Sequence, residues 1–211
     1  MIIPYSTNAY YTKIPFVNIT LIGIMVAFHI AMINYGSPFF ELMVLSKDNI
    51  FTGLFSVYFI HGGFFHLFGN TIILWTLGNA VNSRLGNIQY LILFFAIGVI
   101  SSLFHIVLDG TPAVGASGAV SGIAGFFLML FPNKKVKCFV FFGFFIRIVQ
   151  LSSIFLILFW LFLDLFGLFF LKTNIAYIAH ISGMITGFVA GYLMLKLGLV
   201  EIFRSDRPMF R

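Results

Sequence analysis

Charge is what this chain has least of. Of its 211 residues, only 9% are Asp, Glu, Lys or Arg, against 61% hydrophobic. So few charges cannot cover a soluble domain of this size, because those four residue types normally supply that cover. Cysteine is nearly absent as well. Cys138 is the single thiol, which excludes an internal disulfide and any multi-cysteine metal site. The segment from Met1 to Thr12 lacks a basic start before a short apolar core, and it lacks a small-residue cleavage site. Neither a removable signal peptide nor an Arg-rich transit peptide is expected. A formal net charge of +6 would suit nucleic acid, but the basic residues are not grouped with stacking aromatics.

What the chain has in abundance is long apolar runs, and each run of roughly 18 or more residues can span a bilayer as a helix. The length allows about six spans joined by short loops, without a separate soluble domain. The expected helices cover 16–35, 67–82, 88–108, 117–131, 148–170 and 176–197. The second and fourth are short for a full span. Breaks fall at Asn82-Ser-Arg-Leu-Gly86, at Asp109-Gly-Thr-Pro112 and at Pro132-Asn133. The expectation is an all-α membrane protein, a six-helix bundle over 16–197. A segment 1–15 precedes it and a basic tail 198–211 follows.

The loops orient the bundle. Alternating sides gather Lys13, Arg84, Lys134, Lys135, Lys137, Arg147, Lys196, Arg204, Arg207 and Arg211 on the side of the N-terminus, leaving Lys47 and Lys172 opposite. By the positive-inside rule both termini are expected in the cytoplasm. The first loop, about 36–66, is then external, as are the starts of the fourth and sixth helices. Ser117 begins one of these helices and His180 lies near the start of the other. Two residues far apart in sequence thus fall at one depth.

The stretch Gly115-Ala-Ser117-Gly118-Ala-Val-Ser121-Gly122 puts Ser117, Ser121 and Gly125 on one helical face. Small residues there let another helix come close. The sixth helix offers a matching stripe of His180, Gly183, Gly187 and Gly191. If the stripes pack together, the histidine faces the serine. A serine hydroxyl is a weak nucleophile until a base takes its proton, and imidazole suits that task. Free N–H groups at the start of the Ser117 helix could help hold an oxyanion. Small-residue packing alone is the plainer reading of Gly-x-Ser-Gly. An ionisable histidine inside a span is a stronger pointer to function.

A second cluster, His61-Gly-Gly-Phe-Phe-His66-Leu-Phe-Gly-Asn70, enters the second helix. His66 and Asn70 share a face, and both can donate to a developing negative charge. As metal ligands, His61 and His66 lack a His-Glu-x-x-His pair and a third partner, so neither metal nor other cofactor is expected. An aspartyl mechanism needs two facing carboxylates, and Asp164 is alone within the spans. His61 reads best as a hydrogen-bonded loop anchor.

Taken in order, His61-x4-His66-x3-Asn70, then Gly115-Ala-Ser117-Gly118, then Ala179-His180-Ile-Ser-Gly183-x3-Gly187 resemble the rhomboid family of intramembrane serine proteases. The resemblance implies a six-helix core with Ser117 as nucleophile and His180 as base. It further implies an oxyanion hole from His66, Asn70 and the Ser117 backbone. His61, Gly115, Gly118, Ser121, Gly183 and Gly187 would be supporting positions. The implied substrates are transmembrane proteins cut in or near their spans. The minimal six-helix layout without a targeting segment leads us to expect a bacterial plasma membrane, and the loop charges lead us to expect an active site opening to the external side. The chain departs from the family pattern at three places. Thr52-Gly53 stand where many members carry Trp-Arg, Asn82 stands for a Glu, and Ser121 stands for an aromatic that stacks on the catalytic histidine.

Asp164 could orient His180 as a third member, but the resemblance implies a dyad, so Asp164 is expected to bond within the fifth helix or its outer loop. His29 and His105 read as buried, hydrogen-bonded packing residues. Phe139–Phe145, next to Lys134, Lys135 and Lys137, is expected at the cytoplasmic interface near anionic headgroups. Two other classes remain to be separated from the protease. One is a catalytically silent relative that binds transmembrane clients. The other is a small transporter, which would need paired intramembrane charges.

Overall fold

An apolar chain in lipid must satisfy its backbone hydrogen bonds internally, which favours helices. The computed structural model describes residues 2–143, 145–200 and 206 and is mostly helical. Four helices among them are long and apolar enough to cross a membrane: α1 (Phe16–Tyr35), α5 (Asn87–Leu108), α7 (Ser153–Phe170) and α8 (Tyr177–Lys196). Their exposed faces carry side chains such as Ile30, Ile92, Phe162 and Val189, suited to lipid contact. The first loop holds a short helix, α2 (Ile50–Ser56), followed by a 3-10 turn at Val57–Phe59.

The second expected span differs from its sequence reading. It begins at Phe64 and continues to Leu85, so it is not short. It consists of α3 (Phe64–Ile73), a π-helical stretch (Leu74–Gly78) and α4 (Asn79–Leu85). The sequence break at 82–86 narrows to Gly86, whose φ of +88° ends the helix. The π stretch has a local cause in α1. Buried Asn18 donates through Nδ2 to the Leu74 carbonyl at 2.9 Å and to Asn79 Oδ1 at 2.8 Å. Tyr90 donates its hydroxyl to Asn18 Oδ1 at 2.6 Å, and Asn82 Oδ1 accepts from the Asn18 N–H at 2.9 Å. A buried polar group without partners would be costly, and these four residues satisfy one another.

The expectation of an all-α chain is corrected by a three-stranded antiparallel sheet, ordered β1-β2-β3. It is built from β1 (Ile2–Thr7), β2 (Lys135–Phe142) and β3 (Phe145–Ser152). Residues 148–152, expected to open the fifth span, belong to β3, and α7 starts at Ser153. The register runs from Lys135 opposite Ser152 to Phe142 opposite Phe145. β-Branched Val136, Val140, Ile146, Ile148 and Val149 suit this pairing. Val136 and Cys138 point into the core, while Lys135 and Lys137 alternate outward, the period of a strand. Thr76 in the π stretch donates to the Pro4 carbonyl at 3.2 Å, tying β1 to the bundle.

At the centre lies α6 (Ser117–Leu130), whose 14 residues rise about 21 Å, less than the ~30 Å of a bilayer core. A helix that short cannot face lipid along a full span. Gly118 to Val120 and Gly122 to Leu130 are accordingly all buried. The most deeply buried large side chains include Phe126, Phe127 and Phe131 of this region, with Tyr58, Tyr90 and Phe94. Because the other helices surround α6, its N-terminal residue sits inside the bundle. Of the expected basic tail 198–211, residues 201–205 and 207–211 lie outside the described residues. Asp206 forms a buried ion pair with Arg84, and Lys134 reaches its other oxygen at 3.7 Å.

Candidate active site

The segment entering α6 is fixed before Ser117 is reached. Asp109 Oδ1 accepts from the Thr111 hydroxyl at 2.6 Å and its N–H at 3.1 Å, which holds the Asp109 carboxyl below the ordinary carboxylate range. His105 Nε2 meets the Thr111 carbonyl at 2.9 Å. Ala113 exchanges both backbone hydrogen bonds with Leu45 of the first loop, at 2.9 and 3.0 Å. The Gly115 N–H then donates to the Val57 carbonyl at 3.0 Å. Gly115 has φ +105°, a left-handed conformation that a side chain would strain.

Close packing of α6 on α8 sets the next distance. A Cβ on Gly183 would lie 2.9 Å from the Gly118 carbonyl carbon, and one on Gly187 would lie 2.8 Å from the Gly122 Cα. A Cβ on Gly125 would press on the backbone of Met184. The helices therefore meet backbone to backbone, as small residues permit. One turn before Gly183, His180 places Nε2 2.9 Å from Ser117 Oγ. The other ring nitrogen, Nδ1, is 3.0 Å from Asp164 Oδ1 of α7. An ionised Asp164 can only accept, so it selects the tautomer with its proton on Nδ1. The Nε2 lone pair is then free to accept the Ser117 hydroxyl proton. This contact corrects the expectation that Asp164 bonds within its own helix or outer loop.

His66 and Asn70 converge on the same place. A Cβ on Gly115 would lie 2.7 Å from His66 Nε2 and 3.6 Å from Asn70 Nδ2. Asn70 is buried, and its Nδ2 has no hydrogen-bond partner among the described residues. A buried donor of that kind costs stability unless something accepts from it. Two donors thus border the turn that delivers Ser117.

His61 is buried beneath them with its ring edge-on to His66, centroids 5.2 Å apart. The Phe59 backbone is a hydrogen-bonding neighbour of this ring as well, in keeping with the expected loop anchor. His105 is buried and bonded through Nε2, while His29 is partly buried with Nδ1 unpartnered among the described residues. Behind Ser117 is a cavity of about 20 Å³ lined by Tyr58, Ser101, Ser102 and His105, room for one water molecule.

The family model described as the Rhomboid domain matches residues 48–197. The chain belongs to the rhomboid family. It is 31% identical over 172 residues to rhomboid protease GluP of Bacillus subtilis, a match covering 77% of this chain and 31% of that protein. It is also 34% identical over 112 residues to Rhomboid protein 1, mitochondrial, of Saccharomyces cerevisiae, covering 48% of this chain and 32% of that one. The chain thus matches about a third of the length of either relative. Family and apolar helices together make it an integral, multi-pass membrane protein.

Of the neighbours of His180 in this rhomboid, Asp164 is weighed and set aside on sequence alone, and Tyr177 escapes the sequence reading. Tyr177 has its ring edge-on to that of His180 at 6.4 Å and its hydroxyl accepting from Thr173 at 3.1 Å. Ser121, which stands where many members carry an aromatic, is a half-buried residue one turn along α6. The signal for Tyr177 was its spacing, three residues before His180 on the same helix.

Proposed function

We propose that this rhomboid is an intramembrane serine endopeptidase that cleaves transmembrane proteins in or near their spans. The observation that carries the reading is the 2.9 Å contact between Ser117 Oγ and His180 Nε2 at the head of a buried helix. Ser117 attacks the scissile carbonyl carbon as its proton passes to His180 Nε2. The resulting oxyanion is held by His66, Asn70 and the Ser117 N–H, donors that act strongly where water is scarce. His180 returns the proton to the departing amine, leaving an acyl-enzyme on Ser117. A water molecule, deprotonated by the same nitrogen, attacks the ester, and the serine is released. General base catalysis of this kind contributes about 10²- to 10⁴-fold.

The catalytic unit is the bundle 16–197, read as six spans. The segment 1–15 and the tail 198–211 lie on the cytoplasmic side of a bacterial plasma membrane. Supporting this orientation, Lys13 reaches Gly86 while Lys134 and Arg84 share Asp206, so basic residues from separate loops gather at one end. Ser117 sits at the opposite end of α6 from Phe131, whose ring Arg84 covers at 5.1 Å. The active site then opens externally, and water enters from that face.

The test is cleavage of a single-span reporter in proteoliposomes. Product from the wild type and none from Ser117→Ala is the expected result. Reporter bound by both proteins and cut by neither would replace the protease with a client-binding rhomboid.

A further inference from the structure

We infer that Asp164 is a positioning residue for His180, so that Ser117, His180 and Asp164 work as a triad. This rests on the protease reading above and departs from the dyad that the family resemblance implies. Asp164 is the one charged residue in the 18-residue helix α7. A carboxylate in an apolar span is costly unless it is partnered. Its side chain is largely buried, 17% exposed, and its Oδ1 is 3.0 Å from His180 Nδ1.

The local packing is built for this approach. Gly167, one turn along α7 from Asp164, lies against Tyr177, and a Cβ there would strike the tyrosine ring. With no side chain at 167, α7 comes near enough to α8 for a residue as short as aspartate to reach the imidazole. His180 is thereby bounded by Ser117 at Nε2, Asp164 at Nδ1 and the ring of Tyr177.

The chemical consequence follows from proton bookkeeping. Asp164 accepts from Nδ1–H and keeps the Nε2 lone pair aimed at Ser117. When the serine proton arrives on Nε2, the carboxylate faces the new imidazolium charge and stabilises it without taking the proton. Asparagine is nearly the same size, but its amide can donate to Nδ1. That traps the tautomer with hydrogen on Nε2, which cannot accept from Ser117.

The experiment compares wild type, Asp164→Asn, Asp164→Glu and Ser117→Ala in kcat, KM and the ¹⁵N signals of His180. The expected result for Asp164→Asn is a kcat lower by about 10²- to 10⁴-fold with KM nearly unchanged. Wild-type His180 carries its proton on Nδ1, and Asp164→Asn moves it to Nε2. Asp164→Glu keeps the Nδ1–H tautomer and recovers part of the activity. Wild-type kcat in Asp164→Asn, or a wild-type His180 protonated on Nε2, overturns the triad. A wild type that cuts no reporter overturns the protease reading instead. In that case the ¹⁵N signal still decides whether Asp164 fixes the imidazole.

Discussion

Replacing Gly183 by alanine tests whether the glycine stripes position the active site. The added Cβ would press first on the Gly118 carbonyl oxygen and sit 2.9 Å from the carbonyl carbon and 3.3 Å from the Cα. Carbon atoms in good contact stand about 3.5–4.0 Å apart. Relief of the carbon contact alone requires α6 and α8 to separate by about 0.6 to 1.1 Å, and the nearer oxygen requires no less. Gly118 adjoins Ser117, and Gly183 is one turn from His180, so most of this movement falls between the two side chains. Their 2.9 Å contact would widen past the ~3.5 Å at which a hydrogen bond fails. Overpacking of this kind costs about 1–3 kcal/mol of stability, and a misplacement of about 1 Å can cost 10²-fold in rate. The assay is the rate of Ser117 labelling by a fluorophosphonate, read beside the melting temperature in detergent. Gly23→Ala is the control, because a Cβ at that position in α1 meets nothing within 4 Å. Gly183→Ala should label about a hundredfold more slowly and Gly23→Ala at the wild-type rate. Equal labelling by Gly183→Ala and wild type would refute the claim that the stripe sets the contact.

Asn70→Ala should lower kcat by about 10²- to 10³-fold with little change in KM, as loss of a transition-state donor does; steady-state cleavage of the reporter checks it, and an unchanged kcat removes Asn70 from the oxyanion site. Asn18→Leu strands the Tyr90 hydroxyl and the Asn79 side chain, and should cost about 1–3 kcal/mol, read as a lower melting temperature in detergent.

Much of the helical frame was legible from hydropathy. The first expected helix, 16–35, coincides with α1, and 88–108 and 176–197 differ from α5 and α8 by single residues at their ends. Residues 148–152 were misread because continuous apolar runs hide their period. Phe141, Phe142 and Phe145 to Ile148 carry apolar side chains on both faces of the hairpin, broken only by Arg147. The alternation Lys135-Val136-Lys137-Cys138 was the available sign of a strand. The start of the second helix was missed for a different reason. Phe64 to His66 follow Gly62-Gly63 directly and expose Phe64 and Phe65, so no buried apolar period marks them as helical.

For the site, topology and glycine spacing were enough to pair Ser117 with His180. Asp164 was visible as an isolated charge in a span, but its partner depends on how closely α7 approaches α8. That distance is set by Gly167 against Tyr177, a tertiary contact with no local periodicity to announce it.

The proposed role of Ser117 as nucleophile is tested by the mass of the peptide modified by a fluorophosphonate in the intact, membrane-reconstituted protein. One adduct is expected, on the peptide containing Ser117, and it disappears in Ser117→Ala and in His180→Ala. An adduct on another serine, or equal labelling of Ser117→Ala, would contradict it.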